Sequence, residues 1–293
     1  MNEYLELIKN SYTGYWNYLK QSVLFQTQWD NYFYGLIIIS LIVWILELVF
    51  PWRKNQSAFR KDFWLDTFYM FFNFFLLNLI VLIALSNTTE KLLNDLLGSF
   101  NLSVASFQLF DINSFPYWLR LIVFFVVLDF VQWFTHTLLH KYPFLWNFHK
   151  VHHSVKQMGF AAHLRYHWME PVVYNSMKYI PLAIMGGFTA QDVAIVHFFN
   201  ITIGHLNHAN INIDYGILKY IFNNPKMHIW HHAKELPPER QNGVNFGITL
   251  SIWDYLFNTN YIPYNGRDIE IGFEGDEHFP KDFINQELYP LKK

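Results

Sequence analysis

Ten of the fourteen histidines in the 293-residue chain fall in four tight clusters: His136 and His140; His149, His152 and His153; His205 and His208; His228, His231 and His232. A neutral imidazole offers one lone pair to a metal ion, and helical residues three or four positions apart share a face, so each cluster can aim ligands at one point. Asp129, Trp133, His136 and His140 follow i, i+4, i+7, i+11 and form one stripe. The Asp129 carboxylate therefore sits two turns from the first histidine on the same side, placed to orient a ligand by accepting its second N–H. In His149-x-x-His152-His153 the adjacent pair diverges by about 100° on a helix, and His228-x-x-His231-His232 repeats the pattern. Such a triplet can serve two neighbouring ions. A mononuclear site needs only about three or four protein ligands, so ten candidates fit two ions that share the set. The chain has no cysteine, which excludes thiolate ligation. Imidazole suits iron, zinc, copper or nickel alike.

The elements that must carry these residues are unusually apolar. Hydrophobic residues make up 52% of the chain and charged ones 15%, where about 25% charged is usual for soluble domains. A bilayer core of roughly 30 Å takes about 20 apolar residues in helix. Residues 32–52, with Glu47 as the one charge before Arg53, predict a first span; residues 63–85 predict a second, and 117–140 a third with Asp129 inside it. Residues 171–187 and 189–208 read as a helical hairpin broken at Gly186-Gly187, with Pro181 in its first arm. Residues 1–30 suit an amphipathic helix at a membrane interface and carry no signal-peptide pattern. Residues 86–116 read as a polar connector. The expected fold is all-α: a polytopic bundle of about 4–5 transmembrane helices within 31–208, in one domain running 31–293. Residues 141–170 and 209–293 would form a histidine-rich cap.

Basic residues near span ends give the orientation. Arg53, Lys54, Arg60 and Lys61 place the first loop in the cytoplasm, and alternation then brings every histidine cluster to that side. The net charge of −2 offers no basic face for nucleic acid. Two function classes fit such a protein: a membrane metalloenzyme, or a metal transporter or metal-binding membrane protein using the same histidines. Transport favours ligands near mid-membrane on a path open to both faces, whereas these clusters gather at span ends and in polar segments.

Over about 129–263 the chain resembles the fatty acid hydroxylase and sterol desaturase superfamily of integral-membrane di-iron oxygenases. The resemblance is carried by His136-x-x-x-His140, by Trp146-Asn-Phe-His-Lys-Val-His-His-Ser, by His231-His232-Ala, and by the following Asn245-Phe-Gly and Ser251-Ile-Trp-Asp-Tyr-Leu-Phe. His208-Ala-Asn resembles the histidine that members supply from the hairpin end, and Glu47-Leu-Val-Phe-Pro-Trp-Arg is a weaker echo. Thr137, Asn258 and Trp168 depart from the family pattern; none of them is a candidate ligand. The resemblance implies two iron ions, which zinc can replace on purification, dioxygen as oxidant, and a lipid reaching the site laterally from the membrane. No cytochrome-like or flavin-binding segment is visible, so the external electron donor is expected to be a separate protein. Ligands are expected among the ten clustered histidines, with His205 the least secure and His167 a further candidate from an Arg165-x-His167-x-x-Glu170 element. Arg165 and Glu170 are expected to pair with one another. Asn245 and Asp254 are expected to hold the cap against the site.

Overall fold

The computed structural model describes residues 2–26, 28–186 and 188–292. Gly187, the second glycine of the expected hairpin break, lies outside them. The described chain is built from helices: α1 (Asn2–Leu24), α2 (Tyr32–Val49), α3 (Phe63–Phe71), α4 (Ile83–Ser99), α5 (Tyr117–Lys141), α6 (Pro143–His153), α7 (Met169–Met185), α8 (Ala190–His208), α9 (Pro225–His231), α10 (Ile252–Leu256) and α11 (Phe283–Leu288). Among the described residues there is no strand, only isolated bridges such as Pro51 with Ile211.

Local sequence explains where these helices begin. Asn31 caps α2 by accepting from the Phe33 and Tyr34 N–H groups at 2.9 and 3.2 Å, which satisfies donors that have no partner inside the first turn. Thr189 and Asp192 form a reciprocal capping box at the start of α8. Pro143 and Pro225 open α6 and α9, where a missing N–H costs nothing. Asn224 caps α9 through the Met227 N–H at 3.0 Å.

Two π-helical segments, Phe72–Leu76 and Asn78–Leu82, join α3 to α4. The result is one continuous rod, Phe63–Ser99, of 37 residues. The expected second span thus continues as helix through residues read as a polar connector. The physical reason is α1, which runs antiparallel to the rod's second half and covers its polar side. Tyr4 donates to Asp95 at 2.6 Å, Asn87 to Ser11 at 2.8 Å, and Tyr12 to the Ile80 carbonyl at 3.0 Å. Against the rod's first half lies α2, also antiparallel, with Trp44 beside Phe63 and Phe33 beside Phe75.

Among the described residues, three helices are long and apolar enough to cross a membrane: Tyr32–Val49, Phe63–Ser99 and Tyr117–Lys141. Only 22% of the α2 window is buried, and Ile38, Leu41, Ile42 and Ile45 all point outward. Exposing that much aliphatic surface to water costs about 25 cal/mol per Å2, whereas lipid solvates it without penalty. The arms α7 and α8 fall outside that set: α7 is 17 residues long, and α8 carries Asp192, His197, His205 and His208 among its apolar residues. They form the expected hairpin and pack on α5 through Phe124, Leu128, Val196 and Leu182.

Candidate metal centre

The histidines converge where α5, α6, α8 and α9 meet. Nine of the ten form two groups in which the imidazole ligand atoms lie within 4.8 Å of one another. One group is His136, His140, His149, His153 and His231; the other is His152, His208, His228 and His232. Each adjacent pair, His152-His153 and His231-His232, is divided between the groups. The angular divergence of neighbours on a helix thus makes α6 and α9 bridges between two ligand sets. The His153 and His232 rings stack with centroids 4.4 Å apart where the sets adjoin.

Proton placement gives this arrangement its chemical meaning. A neutral imidazole has one N–H. His136 Nδ1 lies 2.7 Å from the Phe246 carbonyl and His149 Nδ1 2.9 Å from Glu170 Oε2. Both acceptors are oxygens, so both Nδ1 atoms carry the proton and both Nε2 atoms are bare. Those two Nε2 atoms nevertheless face each other at 3.0 Å. The second group repeats the situation: His152 Nδ1 donates to the Arg165 carbonyl at 3.1 Å and His208 Nδ1 to the Gly204 carbonyl at 2.8 Å, while their Nε2 atoms sit 3.3 Å apart. His231 Nδ1 likewise donates to the Val244 carbonyl at 2.8 Å. Its Nε2, with His140 Nε2, His153 Nε2 and His232 Nδ1, is buried without a hydrogen-bond partner.

Opposed lone pairs in a buried pocket repel, and orphaned buried acceptors cost about 1–3 kcal/mol each. A cation removes both penalties. With metal–nitrogen distances of about 2.0–2.1 Å, ligands adjacent around one ion stand about 3.0–3.4 Å apart, which matches the observed separations. The donor set therefore fits two metal ions.

Burial supports the same reading. The imidazoles of α6 and α9, with His232 at the α9 end, are pushed below their ordinary range by desolvation first; neighbouring imidazoles add to this at His149, His153, His228, His231 and His232, whereas His152 falls to about 4 by burial against its hydrogen bond to the Arg165 carbonyl. They are neutral at pH 7, the form that ligates.

The α5 stripe holds the roof over this centre. Asp129 accepts from the Leu250 N–H at 3.2 Å and from the Trp253 indole at 2.9 Å. Trp133 donates to Asp254 at 3.0 Å. Asp254 also accepts from the N–H groups of Phe246 and Gly247, each at 2.8 Å, and from Thr259 at 2.6 Å. Asn245, at a φ of 54°, donates to the Met227 and Tyr261 carbonyls at 2.9 and 2.8 Å. Residues 245–254 are thereby fastened to both α5 and α9, the role expected of Asn245 and Asp254.

Four expectations are corrected. Among the described residues Asp129 makes no hydrogen bond to a histidine; it accepts from the 250–253 turn, because the stripe faces the roof there. His205 lies outside both groups, with Nε2 3.1 Å from the Ser40 hydroxyl and Nδ1 2.9 Å from His163 Nδ1. It shares the α8 stripe with His208 but stands three residues back, at the level of α2. His167 is also apart: it donates to the Glu287 carbonyl at 2.7 Å and accepts from the Met169 N–H at 3.1 Å. Arg165 does not pair with Glu170 but with Asp66 at 2.9 Å, and Asp66 also binds Arg60 at 2.5 Å.

Glu170 is the residue that spacing alone misassigned. Its partner, His149, comes from a different helix, and local sequence carries no signal for that pairing. The Arg165-x-His167-x-x-Glu170 element marked the segment without marking its contacts. Asn73, at the first π-helical segment, fixes that same segment by donating to the Leu164 and Tyr166 carbonyls at 2.9 and 2.8 Å. Glu47 braces its start, accepting from the N–H groups of Phe160 and Asn210, each at 2.8 Å.

A cavity of about 240 Å3 opens beside the two groups, lined by His136, His149, His152, His208 and His228 on one side and by α7 and α8 on the other. The centre therefore faces a cavity between the hairpin and α5.

Comparison with known proteins meets this geometry. Residues 121–259 match the fatty acid hydroxylase family. The chain is 29% identical over 184 residues to the ornithine lipid hydroxylase OlsE of Rhizobium tropici, covering 62% of this chain and 53% of that protein. It is 27% identical over 239 residues to the human alkylglycerol monooxygenase, covering 72% of this chain and 52% of that protein. The Caenorhabditis elegans alkylglycerol monooxygenase is 27% identical over 132 residues, 45% of this chain and 25% of its own length. The chain spans about half the length of these relatives or less. No solved structure matches it.

Proposed function

Residues 121–259 match the fatty acid hydroxylase family, and from that match we propose that the protein is a membrane di-iron oxygenase that hydroxylates or desaturates a lipid. The observation that carries the proposal is the pair of lone-pair oppositions, one in each histidine group, at 3.0 and 3.3 Å. The similarity to a lipid hydroxylase and to alkylglycerol monooxygenases supports the lipid as substrate.

His136, His140, His149, His153 and His231 would hold one ion, and His152, His208, His228 and His232 the other. Iron bound there supplies the dioxygen chemistry needed to break an unactivated C–H bond, with electrons from a separate donor protein. The chain's own contribution is positional. The Phe246, Arg165, Gly204 and Val244 carbonyls and the Glu170 carboxylate keep protons on Nδ1, so that each Nε2 stays free to ligate. The roof formed by residues 245–254 excludes water, and the cavity admits an alkyl chain next to His136, His149 and His152. We place the functional domain at 31–293 and the centre at the cytoplasmic ends of the spans, from the basic residues Arg53, Lys54, Arg60 and Lys61.

Lipid profiles of cells with and without a functional gene copy test the proposal. One hydroxylated or desaturated species should vanish with the gene and fail to return with His152→Ala, a variant that still reaches the membrane. An unchanged lipidome with altered cellular metal content would assign the centre to metal transport instead.

A further inference from the structure

Across the cavity from the histidines stands a cation that the proposed reaction does not use. Lys178 lines the cavity from α7. It lies eight residues beyond Glu170, about 12 Å along the helix axis. Among the described residues it makes no ion pair and no hydrogen bond; the Tyr174 ring, 5.9 Å from Nζ, is its one close partner. The Asp129 carboxylate exerts a field on it, but those oxygens are engaged by Leu250 and Trp253. Glu170 is the one carboxylate among the described lining residues, and its Oε2 is held by His149. Asn175, Asn200 and His197 also line the cavity and add polar groups. An ammonium lining a cavity without a counter-ion is unfavourable, so such groups occur where a ligand supplies the opposite charge.

We propose that Lys178 binds an anionic group on the lipid substrate, a carboxylate or a phosphate, and so sets the reacting carbon roughly two to three helical turns away at the metal-facing histidines. The proposal rests on the lipid-oxygenase reading. It assigns the cavity two ends: an apolar, histidine-bounded end for the carbon that reacts and a cationic end for the head. Two sources can supply the anion, a free fatty acid or a phospholipid headgroup.

Equilibrium binding to the purified full-length protein in uncharged detergent separates the outcomes, with oleate, oleoyl lysophosphatidate and uncharged monooleoylglycerol as probes. The wild type should bind at least one anionic probe tenfold or more tighter than monooleoylglycerol; oleate preference identifies the carboxylate source and lysophosphatidate preference the phosphate source. Lys178→Met should lose that factor while binding monooleoylglycerol unchanged, and Lys178→Arg should keep it. A wild type indifferent to charge overturns the proposal, whether or not Lys178→Met folds, and so does a folded Lys178→Met that keeps the preference. Metal content measured on the same samples is independent. Two ions per chain with no anion preference removes this proposal alone, whereas anion preference in a protein that takes up no metal removes the oxygenase reading.

Discussion

The Nδ1 partners of the histidines decide what their Nε2 atoms can do. Four backbone carbonyls and one carboxylate fix five tautomers, and all but the Gly204 carbonyl come from outside the histidine's own helix. Titration at this scale is clearest away from the centre, at Glu287. Its carboxyl is pushed up to about 7, chiefly by burial and against the Trp168 N–H that it accepts at 3.1 Å. A folded-state pKa above the unfolded value of about 4.3 means that the native state binds more protons between those two values. Stability contributed by Glu287 is therefore complete at low pH and lost as pH rises through about 7. Glu287→Gln should flatten that decline, raising the melting temperature at pH 8 relative to wild type and leaving it nearly unchanged at pH 5. Equal shifts at both pH values would show that the carboxyl is not the group responsible.

Elements carry the next part of the account. The α5 stripe was legible as a stripe: Asp129, Trp133, His136 and His140 share a face by spacing alone. What it faces was not legible, because residues 243–254 arrive more than a hundred positions later and no local periodicity encodes that docking. The same limit explains Asp129, which is buried but whose partner was not legible. It also explains the rod, whose second half looked like a connector because α1, which covers its polar side, is distant in sequence. The histidine groups were more readable, since i, i+3 and i+4 spacing and the 100° divergence of neighbours are local properties. His205 shows where that reasoning stops: it shares a face with His208 but stands at a different level.

The stripe's energetic role can be measured. Trp133→Phe keeps the ring that stacks on Phe257 at 4.6 Å and removes one donor from Asp254, which should cost about 1–2 kcal/mol. Asp254→Ala strips four hydrogen bonds from buried partners and should cost about 3 kcal/mol or more. Thermal melts of the detergent-solubilised variants should rank wild type above Trp133→Phe above Asp254→Ala. Indistinguishable melts would mean that the roof is held by something else.

At the scale of the whole molecule, three apolar helices present lipid-facing surface while the hairpin and the polar segments enclose a centre with nine imidazoles. The all-helical, membrane-suited character was evident from composition and from runs of about 20 apolar residues. The division of labour between spans and hairpin required the structure: the arms α7 and α8, expected within a bundle of about 4–5 transmembrane helices, fall outside the three helices long and apolar enough to cross a membrane and instead wall a cavity. That cavity has the histidine groups on one side and the hairpin on the other.

The central claim is that the two histidine groups hold one metal ion each, and metal stoichiometry on the purified protein tests it most directly. The wild type reconstituted with ferrous iron should bind close to two ions per chain, and His208→Ala, which removes one ligand from the four-histidine group only, should bind close to one. A wild-type value of one, or a His208→Ala value that stays at two, would contradict the paired centre.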